Sequence, residues 1–283
     1  FTLLFDKVSG AISSYAYKGV KLLERGPVPD FWRAMTDNDL GAWKLVRFMA
    51  AGNPSLRIPV WRSAASPWAG LIRRITVARL DESSVKVTAE AELAAVGAKY
   101  TLAHTIYGDG EVLVEASYQP GPGKLPMMPR FGTELVLAPG LGNITWYGRG
   151  PAETYQDRSF ERVGVYSSTV AAQWVDYSRP QENGYKVDVR WVTFTNKDGL
   201  GLKAAGMPLV GVGARHVTKD DIESARYSFQ LPRRPEIYVN LDLAQMGVGG
   251  IDSWSTNAYP MEPYRIAGDQ PHAYRYRLLP VSK

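Results

Sequence analysis

The residues best suited to chemistry lie in a glycine-rich stretch near the end of the sequence. Residues 247–254 read G-V-G-G-I-D-S-W, so glycines surround a valine and precede an aspartate, a serine and a tryptophan. A phosphate-binding loop continues into a helix and usually supplies a lysine. Here S-T-N-A-Y-P follows, which begins no helix, and no lysine is near. The stretch therefore favours either a core tryptophan or a mobile loop that presents Trp254 to a ligand such as a sugar ring.

Paired carboxylates occur in the segment W-Y-G-R-G-P-A-E-T-Y-Q-D-R at 146–158. Glu153 and Asp157 could serve as the acid and the nucleophile of a glycosidase, which needs two carboxyl groups at a defined separation. Sequence spacing does not give that separation. The favoured alternative is structural: the two residues cap a turn or pair with Arg149 and Arg158.

Two further polar groups are weaker candidates for a sugar site. Arg33, Asp37, Asn38 and Asp39 lie in F-W-R-A-M-T-D-N-D-L-G. Short polar side chains in succession are typical of a turn and a helix cap, and binding of a cation or of sugar hydroxyls is the alternative. Glu182 lies in R-P-Q-E-N-G-Y, a predicted turn, and is the best candidate for an isolated functional carboxylate.

Other catalytic classes find little support. The sequence has three histidines, His104, His216 and His272, and none has a metal-ligand spacing. The absence of cysteine excludes disulfides, cysteine zinc sites and thiol nucleophiles. No G-x-S-x-G motif occurs. We therefore assign no catalytic residue, metal site or cofactor to this chain.

The composition is that of a globular protein. Hydrophobic residues make up 45% of the 283 residues, and the net charge is +5. Because the basic residues are scattered, they favour a solvated surface over nucleic-acid binding. The apolar runs are shorter than the roughly 20 residues of a membrane span, so no membrane partner is expected. The sequence begins with Phe1, so we expect a piece of a longer, cytoplasmic bacterial protein, although an upstream signal could have been lost.

Period-two alternation of apolar and polar residues predicts strands along most of the sequence. Gly108, Asp109 and Gly110 separate two such runs, which is a strong hairpin signal. The predicted strands include 85–91, 131–138, 143–147, 185–195, 200–205, 226–231, 236–243 and 273–281. Many strands joined by long Pro- and Gly-rich loops indicate a β-sandwich.

Helical patterning is scarce. Residues 38–50 predict a short helix capped by Asn38 or Asp39, and residues 52–68 are the most plausible flexible insertion. No linker divides the chain, so residues 1–283 are predicted to form one domain.

Five blocks in order resemble the C-terminal, small-chain domain of large β-galactosidases of glycoside hydrolase family 2. They are F-D-K-V-S-G, R-A-M-T-D-N-D-L-G, W-Y-G-R-G-P-A-E-T-Y-Q-D-R, P-Q-E-N-G and M-G-V-G-G-I-D-S-W, and the resemblance runs from about residue 1 to 280. Met35 stands where the family usually has proline, and Arg149 fills a variable position. The ordered set is far more specific than any one block.

The resemblance implies an all-β, large two-sheet super-sandwich that is galactose mutarotase-like. It also implies that the catalytic glutamates lie in an upstream α/β barrel, so Glu153, Asp157 and Glu182 are not given those roles. The final domain caps the barrel mouth, and one of its loops lends a tryptophan to the sugar site. The residues that match this loop are Trp254, Asp252 and Ser253 for substrate binding, and Gly247, Gly249 and Gly250 for positioning the loop.

The whole enzyme is then expected to hydrolyse terminal β-D-galactosides such as lactose by a retaining mechanism. Its expected partners are galactose or a β-galactoside, the upstream barrel and further copies of the full enzyme. Magnesium and sodium are expected mostly in other domains. Three alternatives remain: a stand-alone aldose epimerase, for which His104, His216 and Glu182 would have to converge; a carbohydrate-binding module; and a structural domain in which Trp254 is buried.

Overall fold

A computed structural model describes residues 1–42 and 58–282. Fourteen strands make up nearly half of the described chain, and every named pair is antiparallel. The strands are β1 Thr2–Phe5, β2 Ile12–Tyr17, β3 Val20–Asp30, β4 Ile72–Arg79, β5 Ser84–Leu93, β6 Ala98–Tyr107, β7 Val112–Gln119, β8 Arg130–Leu137, β9 Asn143–Gly150, β10 Arg162–Thr169, β11 Lys186–Thr195, β12 Gly201–Arg215, β13 Ile237–Gln245 and β14 His272–Val281. Short helices cover 37–42, Val60–Ser63, Trp68–Leu71 and Lys219–Ser224.

The long strand β12 joins two arms of sheet. Its first half, 201–206, pairs with β14, and its second half, 211–215, pairs with β13. From β14 the sheet continues through β7, β6 and β5 to β4, and from β13 through β8, β3 and β2 to β1. On its other side β12 pairs with β11, which leads to β9 and β10. The predicted all-β class is confirmed, and the strands belong to one curled antiparallel sheet with two arms rather than to two separate sheets.

An aromatic core lies where the two arms face each other. Phe31, directly after β3, stacks on Phe131 of β8 with ring centroids 5.9 Å apart. It also packs edge-on against Tyr100 of β6 and Tyr118 of β7, at 5.7 and 6.2 Å. Rings from both arms thus share one buried cluster, in which edge-to-face packing adds to the burial of apolar surface.

Two predictions about local structure are wrong. Residues 226–231 form no strand: Ser228–Gln230 is a 3-10 helix, whose Gln230 side chain accepts hydrogen bonds from the Arg226 and Tyr227 amides. Residues 58–68 are not a flexible insertion, because Trp61 and Trp68 are buried in the core. Residues 52–57 of that prediction lie outside the described residues.

The helix predicted at 38–50 begins one residue earlier in the structure, at residue 37, and has a different cap. Residues 37–42 are helical, and 43–50 lie outside the described residues. The Thr36 hydroxyl accepts from the Asp39 amide, and the Asp39 carboxylate accepts from the Thr36 amide. This reciprocal pair is a capping box, so Thr36 is the cap rather than Asn38 or Asp39.

Candidate functional site around the Trp254 loop

The glycine-rich stretch leaves the sheet at the end of β13, and a buried arginine holds its first residues. Arg33 donates to the Met246 carbonyl at 2.7 Å and to the Gly247 carbonyl at 3.0 Å. A third bond, to the Gln245 side chain at 3.3 Å, ties Arg33 to the last residue of β13. Because carbonyls in a loop have no strand partner, a guanidinium with several donors can satisfy them together.

Arg33 is itself oriented by Asp39. Its Nε and Nη2 donate to the two carboxylate oxygens of Asp39 at 3.0 and 2.9 Å, and both side chains are buried. The same carboxylate closes the capping box of the 37–42 helix. The start of this helix and the base of the loop are therefore fixed to each other through one buried ion pair.

A second carboxylate holds the loop one step further along. Asp157 accepts from the Val248 amide at 3.0 Å and from the Gly249 amide at 2.7 Å. Asp157 lies in the segment that was considered for glycosidase carboxylates, but its two oxygens are engaged by the loop. The structural interpretation is favoured for Asp157, as a backbone anchor.

The glycines are explained by close approach. None of Gly247, Gly249 and Gly250 has a positive φ. A Cβ at Gly247 would overlap the Asp157 carboxylate, one at Gly249 would lie 3.1 Å from it, and one at Gly250 would overlap the Ala258 carbonyl. The positions thus admit glycine because neighbouring groups fill the space of a side chain.

The tip of the loop is a closed turn that presents Trp254 to solvent. The Ile251 amide donates to the Asn257 carbonyl at 2.8 Å, which closes the turn. The Asp252 carboxylate accepts from the amides of Trp254 and Ser255 and from the Ser255 hydroxyl. The hydrogen bond from the Ser255 hydroxyl, with those from the two amides, lowers the pKa of Asp252. Trp254 is 74% exposed, so it is not a core residue.

The 37–42 helix also touches this tip. A Cβ on Gly41 would overlap the Ser253 carbonyl oxygen and its carbon. The helix and the turn therefore meet backbone to backbone at Gly41. Three supports converge on one loop: Arg33 and Asp157 at its base and Gly41 at its tip.

Glu182 is buried rather than isolated. Its Oε1 accepts from Arg130 at 3.3 Å and from Gln245 at 3.2 Å. Arg130 also donates to Asp30 at 3.2 Å, and its Nε lies 3.1 Å from Asp242. Burial, with the nearby carboxylates of Asp30 and Glu182, raises the pKa of Asp242 to about 7 although Arg130 opposes it. The expectation of an isolated carboxylate at Glu182 is wrong, because Arg130 gathers three carboxylates around it.

Two of the weaker candidates meet in one small pocket. Asp37 and Glu182 both line a cavity of about 240 Å³ that lies against Val248 of the loop. Its other lining residues are Thr36, Asn38, Tyr155, Arg158, Tyr177 and Gln181. Arg33 does not line this cavity; it binds the carbonyls at the base of the loop. The structure thus separates the three weaker candidates into a pair at a pocket and one loop anchor.

The remaining charged residues of the segment 146–158 form ion pairs and hydrogen bonds within the chain. Glu153 pairs with Arg158 as expected, and it also accepts from the Tyr177 hydroxyl and from the Gly184 amide at 2.8 Å. Arg149 pairs instead with Asp188.

The three histidines do not converge. His104 is buried against Phe5, and burial lowers its pKa to about 4. The His216 Nδ1 lies 3.1 Å from the Glu236 carbonyl, and His272 packs on Tyr118. No hydrogen bond joins any of these histidines to Glu182, so the geometry does not favour the epimerase alternative.

Neither the role of Asp157 as a loop anchor nor that of Thr36 as the helix cap was predicted from the sequence. Thr36, three positions before Asp39, had a readable signal, because Thr-x-x-Asp resembles a capping box. Asp157 had none, since its partners lie 91 and 92 residues away in sequence. In the described part of the chain, no helix is long and apolar enough to span a membrane.

A family profile and curated relatives each match nearly all of this chain. The sequence profile described as "Beta galactosidase small chain" matches residues 1–278. The chain is 34% identical over 282 residues to the β-galactosidase of Priestia megaterium, covering 99% of this chain and 26% of that protein. It is 34% identical over 265 residues to the β-galactosidase of Lactobacillus delbrueckii subsp. bulgaricus, covering 92% and 24%.

Among solved structures, the galactose 1-epimerase of Lactobacillus acidophilus aligns with a TM-score of 0.43 and 5% identity, over 74% of this chain and 66% of that one. The chain spans about a quarter of the length of the curated relatives it matches. With a family profile that covers residues 1–278, the chain belongs to the β-galactosidase small-chain family.

Proposed function

We propose that this chain is the part of a β-galactosidase that caps an α/β-barrel active site and completes its sugar site with Trp254. The whole enzyme hydrolyses terminal β-D-galactosides such as lactose by a retaining mechanism with two carboxylates. Membership of the small-chain family, and the quarter of its relatives' length that the chain spans, support this assignment. The two catalytic glutamates then belong to the barrel, outside this chain.

The carboxylates near the loop are already paired within this chain, which supports the assignment of the catalytic glutamates to the barrel. Glu153 is paired with Arg158, Asp157 binds two backbone amides, and Glu182 lies in the Arg130 cluster. A nucleophile or acid/base carboxylate has to reach the scissile bond, and these three are used by the fold. They position backbone and side chains rather than react.

The exposure of Trp254 is the observation that carries the proposal. Its indole is 74% exposed, while the turn beneath it is held by Asp252 and the loop base by Arg33 and Asp157. An aromatic ring that is exposed to water contributes little to the stability of the fold, so its place on a well-anchored loop calls for another explanation. An aromatic face packs well on the C–H face of a pyranose, so a sugar gives the ring a partner.

The neighbours of Trp254 fit the same role. Ile251 and Met261, which are close to Trp254 in sequence, are also exposed, and exposed apolar groups can mark contacts with other protein or with ligand. We assign this apolar surface to the barrel mouth. The Asp252 carboxylate holds the turn, whereas the exposed Ser253 offers a hydroxyl to a sugar hydroxyl. The proposed full enzyme is a cytoplasmic homo-oligomer with its magnesium and sodium in other domains.

The experiment is a comparison of Trp254→Ala and Trp254→Phe in the full-length enzyme. Covering about 50–100 Å² of indole at about 25 cal/mol per Å² is worth about 1.3–2.5 kcal/mol, or about 10- to 70-fold in affinity. Trp254→Ala should therefore raise KM for an aryl β-galactoside about 10- to 70-fold, while Trp254→Phe retains part of the affinity. The melting temperature should hardly change, because the ring is exposed. Unchanged KM and kcat in Trp254→Ala would refute the proposal.

A further inference from the structure

Two buried residues that line the pocket beside the loop base each carry a polar atom that the fold leaves unpaired. Tyr155 and Glu182 line the 240 Å³ cavity and are 2% and 4% exposed. The Tyr155 hydroxyl and the Glu182 Oε2 have no hydrogen-bond partner among the described residues. Because a buried polar group without a partner costs about 1–3 kcal/mol, two of them at one cavity call for a ligand that satisfies both.

The two atoms have opposite hydrogen-bonding needs. Burial raises the pKa of the Tyr155 hydroxyl well above its usual value, and the nearby Glu182 and Glu153 carboxylates raise it further. The hydroxyl thus keeps its proton and can donate it. The Glu182 carboxylate is held in its ion pair with Arg130 and offers Oε2 as an acceptor. A cation would use only the acceptor and an anion only the donor, whereas a ligand with neighbouring hydroxyls uses both.

The rim of the pocket also carries both hydrogen-bond donors and acceptors. The Asp37 amide donates to the Gln181 side-chain oxygen at 3.1 Å, and the Gln181 side-chain nitrogen donates to the Asp37 carboxylate at 3.1 Å. Asp37 remains largely exposed, and Arg158 is partly exposed on the ring of Tyr155. The rim therefore adds a carboxylate and a guanidinium beside the half-buried ring of Tyr177.

The size of the cavity limits the ligand. Pockets for drug-sized ligands have volumes of about 300–1,000 Å³, and this one lies just below that range. It accommodates one sugar ring rather than an oligosaccharide. The half-buried Tyr177 ring, which also lines the pocket, provides an apolar face for the ring carbons, and the polar atoms bind the hydroxyls.

We propose that the pocket lined by Tyr155, Glu182 and Asp37 is a monosaccharide-binding site, in which one sugar hydroxyl donates to Glu182 Oε2 and another accepts from the Tyr155 hydroxyl. This site is additional to the contact made by Trp254. Because Val248 lines the pocket, the bound sugar lies against the base of the Trp254 loop.

The test measures sugar binding to the full-length enzyme after its active site has been blocked. A 2-fluoro-galactosyl inactivator traps the covalent intermediate of a retaining glycosidase, so that later binding of labelled galactose or glucose reports other sites. Equilibrium dialysis should then find one sugar per chain. Tyr155→Phe should weaken this binding about tenfold, the equivalent of one lost hydrogen bond of about 1.4 kcal/mol.

Tyr100→Phe is the matched control, because the Tyr100 hydroxyl is also buried without a partner but does not line the pocket. Both variants should keep the melting temperature of the wild type, and Tyr100→Phe should bind sugar normally. A crystal structure with galactose should place sugar hydroxyls at Glu182 Oε2 and the Tyr155 hydroxyl.

Absence of binding in the blocked wild type, equal affinity in Tyr155→Phe, or water alone in the pocket would overturn the proposal. If the inactivator fails to label the enzyme, the proposed function fails instead. The comparison of Tyr155→Phe with Tyr100→Phe then still tests the pocket.

Discussion

Replacement of Asp157 by asparagine tests how the base of the Trp254 loop is held. The carboxylate of Asp157 accepts from the Val248 and Gly249 amides at 3.0 and 2.7 Å. Asparagine keeps the size of the side chain, but its one oxygen can accept from only one amide while its NH2 group faces the other. One hydrogen bond to a charged acceptor is lost, which is worth about 1.5–3 kcal/mol.

The loss of this hydrogen bond should increase local opening of the loop without changing global unfolding. The amides at 248 and 249 should exchange with deuterium about 10- to 150-fold faster, the equivalent of about 1.5–3 kcal/mol. Hydrogen exchange with mass spectrometry on the full-length enzyme measures this in peptides that cover the loop. The KM for an aryl β-galactoside should rise, because Trp254 spends less time in place.

Asp198→Asn is the matched control, since the exposed Asp198 side chain makes no hydrogen bond or ion pair with the described residues and lies in the turn at 196–199. It should leave both exchange and KM unchanged. Wild-type exchange at 248 and 249 in Asp157→Asn would show that this carboxylate does not hold the loop.

Three further predictions address the supports around the site. Gly41→Ala should raise KM with little change in melting temperature, because its Cβ would overlap the Ser253 carbonyl and displace the loop tip, whereas Gly142→Ala, which points into open space, should be neutral. His104→Leu should stabilise the protein more at low pH than at neutral pH. Burial lowers the pKa of His104 to about 4, so between about pH 6.5 and 4 the unfolded chain binds a proton that the folded chain does not. The free energy of unfolding of the wild type therefore decreases as the pH decreases, by about 3 kcal/mol in total. Arg130→Met should cost more than about 4 kcal/mol and reduce the soluble yield, because it leaves buried carboxylates without their cation.

Each of these has a clear contrary result. A wild-type KM in Gly41→Ala would mean that the tip does not need its contact with the helix. For His104→Leu, melting temperatures measured at about pH 7 and about pH 4.5 should differ less than in the wild type, and an equal difference would contradict a neutral buried imidazole. A wild-type urea midpoint in Arg130→Met would contradict the importance of the cluster.

Alternation of apolar and polar residues was enough to predict much of the sheet. Strand β5 buries Val87, Ala89 and Ala91 on one face, as the pattern requires, and β11 and β14 begin and end close to the predicted residues. The segment 226–231 misled because its aromatic residues imitate a strand. In the structure Tyr227 and Phe229 stack on each other at the surface, and no neighbouring strand pairs with them.

The candidate site could be predicted only in part. The ordered motifs pointed to Trp254 and its glycines, but not to the reason for the glycines. That reason is the proximity of Asp157 and Ala258, and neither contact follows from local sequence. Likewise Arg33 reaches carbonyls 213 and 214 residues further along the chain. Long-range packing sets these distances, whereas a sequence pattern reports periodicity within a single element.

The position of Trp254 beside the sugar can be measured in a structure of the full-length enzyme with galactose in its active site. We expect the indole of Trp254 within about 4.5 Å of the sugar carbons, with its turn still held by Asp252. An indole packed on another domain or subunit, with the sugar site completed without it, would show that Trp254 does not bind the substrate.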